Sequence, residues 1–316
     1  MQNAAKSGDF LEYVYILVGL VGLFVGGEAL VRGSVNIARR LSISPLVIGL
    51  TVVAFGTSAP ELLVSLQAAW RGAPDIAVGN IVGSNIANVL LILGMTALVW
   101  PIRVSGAAVR NDAAFMLVGT VFLVPLFALG EIGRWAGAVL FVALVFYLVW
   151  TFLTSRDADD ADEPEHEVAP KSPLVSLLWV GGGLLGLLFG AKFLVEGSVS
   201  VARDFGVSEA FIGLTIVAMG TSLPELATSL IAAFRRHSEI AIGNILGSNI
   251  FNIFGILGLT AMISPISVAP RFLTFDLPIM IAVSFVLVGL LLTRPQIGRA
   301  VGGLMLLGYV GYVIAA

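Results

Sequence analysis

Two blocks of this sequence occur twice, and the spacing between the copies constrains the fold more than any other feature. The segment Gly49-Leu-Thr-Val-Val-Ala-Phe-Gly-Thr-Ser-Ala-Pro-Glu61 recurs as Gly213-Leu-Thr-Ile-Val-Ala-Met-Gly-Thr-Ser-Leu-Pro-Glu225, identical at ten of thirteen positions. The stretch Gly79 to Gly94 recurs as Gly243 to Gly258, identical at eleven of sixteen. One offset of 164 residues relates both pairs and holds without a gap from Phe24 to about Val118. A fixed offset means that one structural unit is built twice. Identity concentrated in two blocks, while the residues between them drift, places the special chemistry there.

The unit belongs in a bilayer. Charged residues make up 12% of the chain and hydrophobic ones 58%, against about 25% charged in a soluble domain. Apolar stretches broken by single charges or turn residues run from Leu11 to Ala316, so a soluble enzyme is excluded. At about 20 apolar residues per span, ten helices are predicted, near 11–40, 44–70, 75–99, 106–129, 133–154, 173–203, 208–234, 239–263, 271–293 and 297–315. The expected fold class is therefore all-α, with one five-helix repeat in 1–154 and a second in 173–316. Between them, 155–172 carries seven acids against Arg156 and Lys171 and reads as a solvated cytoplasmic tether. It lacks the glycine and terminal glutamate spacing of an EF-hand loop. Five spans per repeat is odd, so the second copy must enter from the opposite side, and inverted repeats are a transporter signature. With both termini outside, the cytoplasmic side collects ten Lys and Arg and the other side five, which sets the orientation expected in a plasma or inner membrane.

Several functions drop out. Without the linker the formal charge is +2, from −3 for the whole chain and −5 for 155–172, too little for nucleic-acid binding. There is no cysteine, which removes disulfides, thiolate metal sites and cysteine nucleophiles. His166 and His237 lie beside charged residues in predicted loops and read as solvated. The first apolar run is too long for a removable signal peptide and lacks a small-residue cleavage site.

Glu61 and Glu225 fall inside predicted spans, where an unpaired carboxylate costs several kcal/mol, roughly, and is a functional candidate by default. Thr57 and Ser58 stand four and three residues before Glu61, and Thr221 and Ser222 before Glu225, so helical spacing puts these hydroxyls on the carboxylate's own face. Pro60 and Pro224 supply no N–H and should break their helices, freeing carbonyls around Ala54, Phe55 and Gly56 and their counterparts. The following helix adds Asn80, Ser84 and Asn88 at intervals of four, mirrored by Asn244, Ser248 and Asn252. Carboxylates, hydroxyls, amide oxygens and carbonyls form an all-oxygen donor set, which suits hard cations such as Ca²⁺ and Na⁺. The plain alternative for Thr57, Ser58 and Ser84 is interhelical hydrogen bonding; their alignment with a membrane-embedded Glu in both repeats favours ligation. Asn80, Asn85, Asn244 and Asn249 read instead as amides that hold backbone at broken helix ends.

The paired Gly-Thr-Ser-x-Pro-Glu blocks, each followed by Gly-Asn-Ile-x-Gly-Ser-Asn-Ile-x-Asn, resemble the two α-repeats of the sodium/calcium exchanger branch of the cation/Ca²⁺ antiporter superfamily. The resemblance covers the whole chain. It implies a Na⁺/Ca²⁺ antiporter that works by alternating access, exchanging about three Na⁺ for one Ca²⁺, with those ions and the lipid bilayer as its partners, no cofactor, and a functional monomer. Carried over position by position, the ion ligands would be Ala54 through its carbonyl, Thr57, Ser58, Glu61, Ser84 and Asn88, with Ala218 through its carbonyl, Thr221, Ser222, Glu225, Ser248 and Asn252. One position departs from the pattern: some prokaryotic and K⁺-dependent relatives carry Asp where this chain has Asn252, which argues against a K⁺ requirement and leaves Glu61 and Glu225 as the titratable groups of the site. The Gly-Asn-Ala-x-Glu pattern of the H⁺/Ca²⁺ branch is not found. A H⁺/Ca²⁺ antiporter on the same scaffold is the nearest rival, with K⁺-dependent Na⁺/Ca²⁺ exchange as a further alternative, ahead of a channel or an intramembrane protease.

Outside the blocks, Glu28 and Arg32 are four apart, as are Lys192 and Glu196, and both read as intrahelical ion pairs near span ends. Asp112 and Asp276 correspond under the offset and are expected to sit favourably at helix N-termini. The first and sixth spans are rich in glycine, as at Gly19–Gly27 and Gly181–Gly190, a close-packing signal. The family resemblance adds that these two helices slide as a pair over the other eight, for which a smooth glycine face is suited.

Overall fold

The computed structural model describes residues 2–104, 106–154, 172–206 and 218–316. Apart from Ser172, the predicted linker lies outside the described residues, as do His166 and the part of the seventh predicted helix before Ala218.

Helices dominate. They are α1 (Gln2–Leu41), α2 (Pro45–Thr57), α3 (Ala59–Trp70), α4 (Pro74–Val99), α5 (Gly106–Ala128), α6 (Arg134–Thr154) and α7 (Pro173–Asp204). A single turn follows, α8 (Ala218–Gly220), then α9 (Leu223–Phe234), α10 (Ser238–Ile263), α11 (Phe272–Thr293) and α12 (Arg299–Ala315). Among the described residues seven helices are long and apolar enough to cross a membrane, namely α1, α4, α5, α6, α7, α10 and α11, and α2 with α3 makes an eighth if counted as one span. Helices α9 and α12 are apolar but shorter. Lipid-length helices displaying residues such as Trp135, Phe146 and Leu153 outward have no aqueous explanation, and the protein is a multi-pass membrane protein.

The break in the second span falls where Pro60 requires it. Helices α2 and α3 meet at 45° around Ser58, because proline at the second position of α3 cannot donate to the carbonyl four residues back. Three π-helical turns, Gly49–Val53 in α2, Asn88–Ile92 in α4 and Phe251–Ile256 in α10, accompany the repeated blocks. Such turns cluster at functional sites because they re-aim side chains within a helix.

Burial orders the helices. In α10, 94% of the most apolar window is buried and in α4 67%, against 28% in α6, so the helices that carry the second block are innermost. One apolar cluster joins α4, α5, α6, α10, α11 and α12; a second joins α1 and α7 to α2, α9 and the start of α10. Two short antiparallel strand pairs tie the connections together: β1 (Ile102–Arg103) with β4 (Gln296–Ile297), and β2 (Glu131–Ile132) with β3 (Ile266–Ser267). Each pair takes one strand from each repeat.

The glycines of α1 and α7 face each other. A Cβ on Gly22 would lie 3.0 Å from Gly190 Cα, and one on Gly26 would lie 2.6 Å from Leu187 N. Reciprocally, Gly186 would meet Gly26 Cα at 3.0 Å. The expected sliding face is therefore corrected: most of this glycine surface is the seam that joins the two helices to each other, where backbones approach closely because no side chain intervenes.

Candidate ion-binding site

Each repeated block delivers its carboxylate to the interior. Glu61 and Glu225 are 0% and 2% exposed, both in the first turn after the break, at the head of α3 and of α9. No Lys or Arg is among the buried side chains of the described residues, so none of these balances the two carboxylates.

The hydroxyls cross between repeats. Ser58 Oγ donates to Glu225 Oε1 at 2.8 Å, and Ser222 Oγ donates to Glu61 Oε1 at 3.3 Å. Helical spacing placed each serine with the glutamate of its own block; the structure corrects this, because Ser58 and Ser222 are the hinge residues and the continuous helix that the spacing assumed stops at them. Thr57 Oγ1 lies within hydrogen-bonding distance of the Val53 carbonyl at 3.0 Å and of Asn244 Oδ1 at 3.1 Å. The Ala54 carbonyl, expected to be freed, accepts the Ser58 N–H at 3.0 Å and also lies within hydrogen-bonding distance of Thr57 Oγ1 at 3.3 Å.

Asn80 and Asn244 hold the breaks in place. Asn80 Nδ2 donates to the Glu61 carbonyl at 3.0 Å and to Ser65 Oγ at 2.9 Å; Asn244 Nδ2 donates to the Glu225 carbonyl at 3.2 Å and to Ser229 Oγ at 2.9 Å. Asn85 Nδ2 turns back to the Ile81 carbonyl at 2.8 Å, and Asn88 Nδ2 reaches Asn249 Oδ1 at 3.3 Å. The amides of Asn80, Asn85 and Asn244 hold backbone as expected, whereas Asn249 only accepts from Asn88 and its Nδ2 has no hydrogen-bond partner; sequence reasoning missed Ser65 and Ser229, the hydroxyl partners of Asn80 and Asn244, although they too are related by the offset.

Ser84, Asn88, Ser222, Ser248 and Asn252 are buried, Thr221 is half-buried, and Ala218 lies in the turn α8. Six oxygens on this set are buried without a hydrogen-bond partner: Glu61 Oε2, Glu225 Oε2, Asn88 Oδ1, Thr221 Oγ1, Ser248 Oγ and Asn252 Oδ1. An unsatisfied buried polar atom costs about 1–3 kcal/mol, and more when charged. Two carboxylate oxygens and four neutral ones left over in this way form a donor set fitted to a hard cation carried as substrate. No cluster of three or more His, Cys, Asp or Glu exists among the described residues, which fits a site that takes most of its ligands from neutral oxygen.

Three other expectations are corrected. Asp112 and Asp276 are 5% and 4% exposed and do not sit at bare helix ends: Tyr147 donates its hydroxyl to Asp112 Oδ1 at 2.7 Å and Tyr312 to Asp276 Oδ1 at 3.0 Å. Glu28 is not confined to an intrahelical pair, since Arg235 also reaches it. His237 is half-buried in the connection before α10 and takes part in an interaction, so it is not merely solvated.

Known proteins share this arrangement. The model of the family described as sodium/calcium exchanger protein matches residues 11–153 and again 175–316. Sodium/calcium exchanger MaX1 of Methanosarcina acetivorans is 33% identical over 343 residues, covering 96% of this chain and 98% of its own. Inner membrane protein YrbG of Escherichia coli is 37% identical over 308 residues, covering 95% of each. A solved structure of the sodium-calcium exchanger NCX_Mj superposes with a TM-score of 0.85 at 33% identity, over 98% of this chain and 99% of that one. With two matched halves, full-length relatives and a common fold, the chain belongs to the sodium/calcium exchanger family of membrane antiporters and is a transporter, not a catalytic enzyme.

Proposed function

We propose that this protein exchanges Na⁺ for Ca²⁺ through one central site by alternating access. The reading takes the chain as ten spans in two inverted five-helix repeats, 1–154 and 173–316, joined by the cytoplasmic tether 155–172, with both termini outside a plasma or inner membrane. The ligands are Thr57, Ser58, Glu61, Ser84, Asn88, Thr221, Ser222, Glu225, Ser248 and Asn252, with the carbonyls of Ala54 and Ala218.

One observation carries the reading: two buried carboxylates, with no buried Lys or Arg to balance them, beside unpartnered neutral oxygens. Ionised, Glu61 and Glu225 are neutralised by one Ca²⁺ or by two Na⁺, and the neutral oxygens give room for a third Na⁺ that makes the exchange electrogenic at about three Na⁺ per Ca²⁺. The two loads compete for the same carboxylates, so one must leave before the other enters, which couples the fluxes. Helices broken beside the acids suit such a site, because they turn polar backbone toward the ion and not toward lipid.

The deciding measurement is the counter-ion dependence of ⁴⁵Ca²⁺ uptake into proteoliposomes under Na⁺, K⁺ and H⁺ gradients. Uptake that requires an outward Na⁺ gradient, and that a membrane potential accelerates, is expected. Uptake driven by a pH gradient in Na⁺-free buffer would assign the protein to H⁺/Ca²⁺ exchange instead.

A further inference from the structure

The two repeats share a sequence pattern but are packed differently, and the difference centres on charged residues outside the ion site. Helix α1 packs along α9, with Gly27 against Ile231; α7, the equivalent of α1, does not pack along α3, the equivalent of α9. The same asymmetry appears in burial: Ile231 is 8% exposed, whereas Gln67, at the matching position of α3, is exposed.

At the closed contact Glu28 of α1 accepts from Arg235, just past the end of α9, at 3.0 Å to Oε2 and 2.5 Å to Oε1, while Arg32 Nε also contacts Oε1 at 2.5 Å. The Glu28 side chain is 16% exposed, so the pair is partly sheltered from water and worth more than a surface pair. The offset turns Arg235 into Arg71, just past the end of α3. Among the described residues the Arg71 side chain makes no hydrogen bond or ion pair. At the equivalent position, α7 carries Lys192 in place of Glu28 and its acid, Glu196, four residues on, about 6 Å along the axis. Those two hold each other loosely at 3.8 Å, with side chains 62% and 46% exposed.

We propose that Glu28–Arg235 is a latch that holds the α1–α7 pair closed on the α9 side, and that Glu196–Arg71 is the latch of the opposite state. The glycine seam makes α1 and α7 move as one body, so closing α7 on α3 must open α1 from α9; inverted repeats convert one packing into the other by such rocking. The charge reversal between Glu28–Arg32 and Lys192–Glu196 then has a purpose. Each moving helix keeps one acid for the arginine that caps its partner in the core, and the displaced position of Glu196 makes the two latches unequal in strength. This inference rests on alternating access and not on the identity of the coupled ion.

The chain has no cysteine, so single reporters Ile231→Cys and Gln67→Cys can be labelled with a maleimide in detergent without any ion gradient. In the parent, Gln67→Cys should react fast and Ile231→Cys slowly. Adding Glu28→Gln should raise the Ile231→Cys rate by about fivefold, the size a partly buried charge pair supports, and lower the Gln67→Cys rate. Arg235→Gln, which removes the same pair from the exposed side, should do the same, and Arg71→Gln should move both rates the other way. Unchanged rates with Glu28→Gln and Arg235→Gln would overturn the latch, as would both reporters speeding up together, the mark of loosened packing. No effect of Arg71→Gln would overturn its counterpart. Because labelling needs no transported ion, these results stand apart from the flux test of ion identity.

Discussion

Ser58 and Glu225 are 167 residues apart and joined by a 2.8 Å hydrogen bond. Ser222 and Glu61 make the reciprocal contact at 3.3 Å. Each repeat thus positions the other's carboxylate, and a half-site cannot form from one repeat alone.

Removing either carboxylate should end exchange. Glu61→Gln or Glu225→Gln leaves one charge to meet a divalent ion in a low-dielectric interior, and Na⁺-driven ⁴⁵Ca²⁺ uptake should fall to background while the protein still elutes as a single folded species. Normal uptake in either variant would sink the site assignment.

The crossed serines should behave as coupled pairs. Ser58→Ala removes a hydrogen bond to a charged group, worth about 1.5–3 kcal/mol, and should weaken apparent Ca²⁺ affinity by about tenfold or more. In a double-mutant cycle read by Ca²⁺ binding, Ser58→Ala should be non-additive with Glu225→Gln and additive with Glu61→Gln; the reverse pattern would favour a contact within one repeat.

Asn252→Asp tests why an amide stands there. A buried carboxyl is neutral when protonated, like the native amide, and adds negative charge only when ionised. Apparent Ca²⁺ affinity of the variant should therefore match the parent at low pH and rise above it as pH increases, an extra titration on top of the one that Glu61 and Glu225 give both proteins. Parallel curves for the two proteins would place residue 252 away from the ion.

The buried acid–tyrosine pairs should differ in their sensitivity. Tyr147→Phe leaves Asp112 with no hydrogen bond to its side chain, at a cost of about 1–3 kcal/mol, and should lower the thermal midpoint of the purified protein. Tyr312→Phe should lower it less, because Asp276 keeps an ion pair with Arg271 at 3.4 Å.

Seam and open glycines should separate cleanly in the same assay. Gly186→Leu must push α1 from α7, since even a Cβ there meets Gly26 Cα at 3.0 Å, and overpacking of this kind costs about 1–3 kcal/mol. Gly182→Ala has nothing within 4 Å and should be neutral or slightly stabilising.

The membrane setting, the duplicated architecture expected of the chain, the two acids and the helix break beside Glu61 were legible in the sequence. These follow from properties carried along the chain: apolar run length, a constant offset, and a proline without an N–H. Which groups meet depends on how the helices pack. Ser58 faces Glu225 and not Glu61, Glu28 turns to Arg235, Asp112 takes the hydroxyl of Tyr147, and the glycines of α1 find those of α7. Helical spacing predicts neighbours on one continuous helix, and it fails where the helix bends at Ser58 or where the partner lies across the repeat. A duplicated sequence also implies equal halves, yet one packing cannot close both sides at once, so it is the three-dimensional arrangement that makes α1 and α7 unequal.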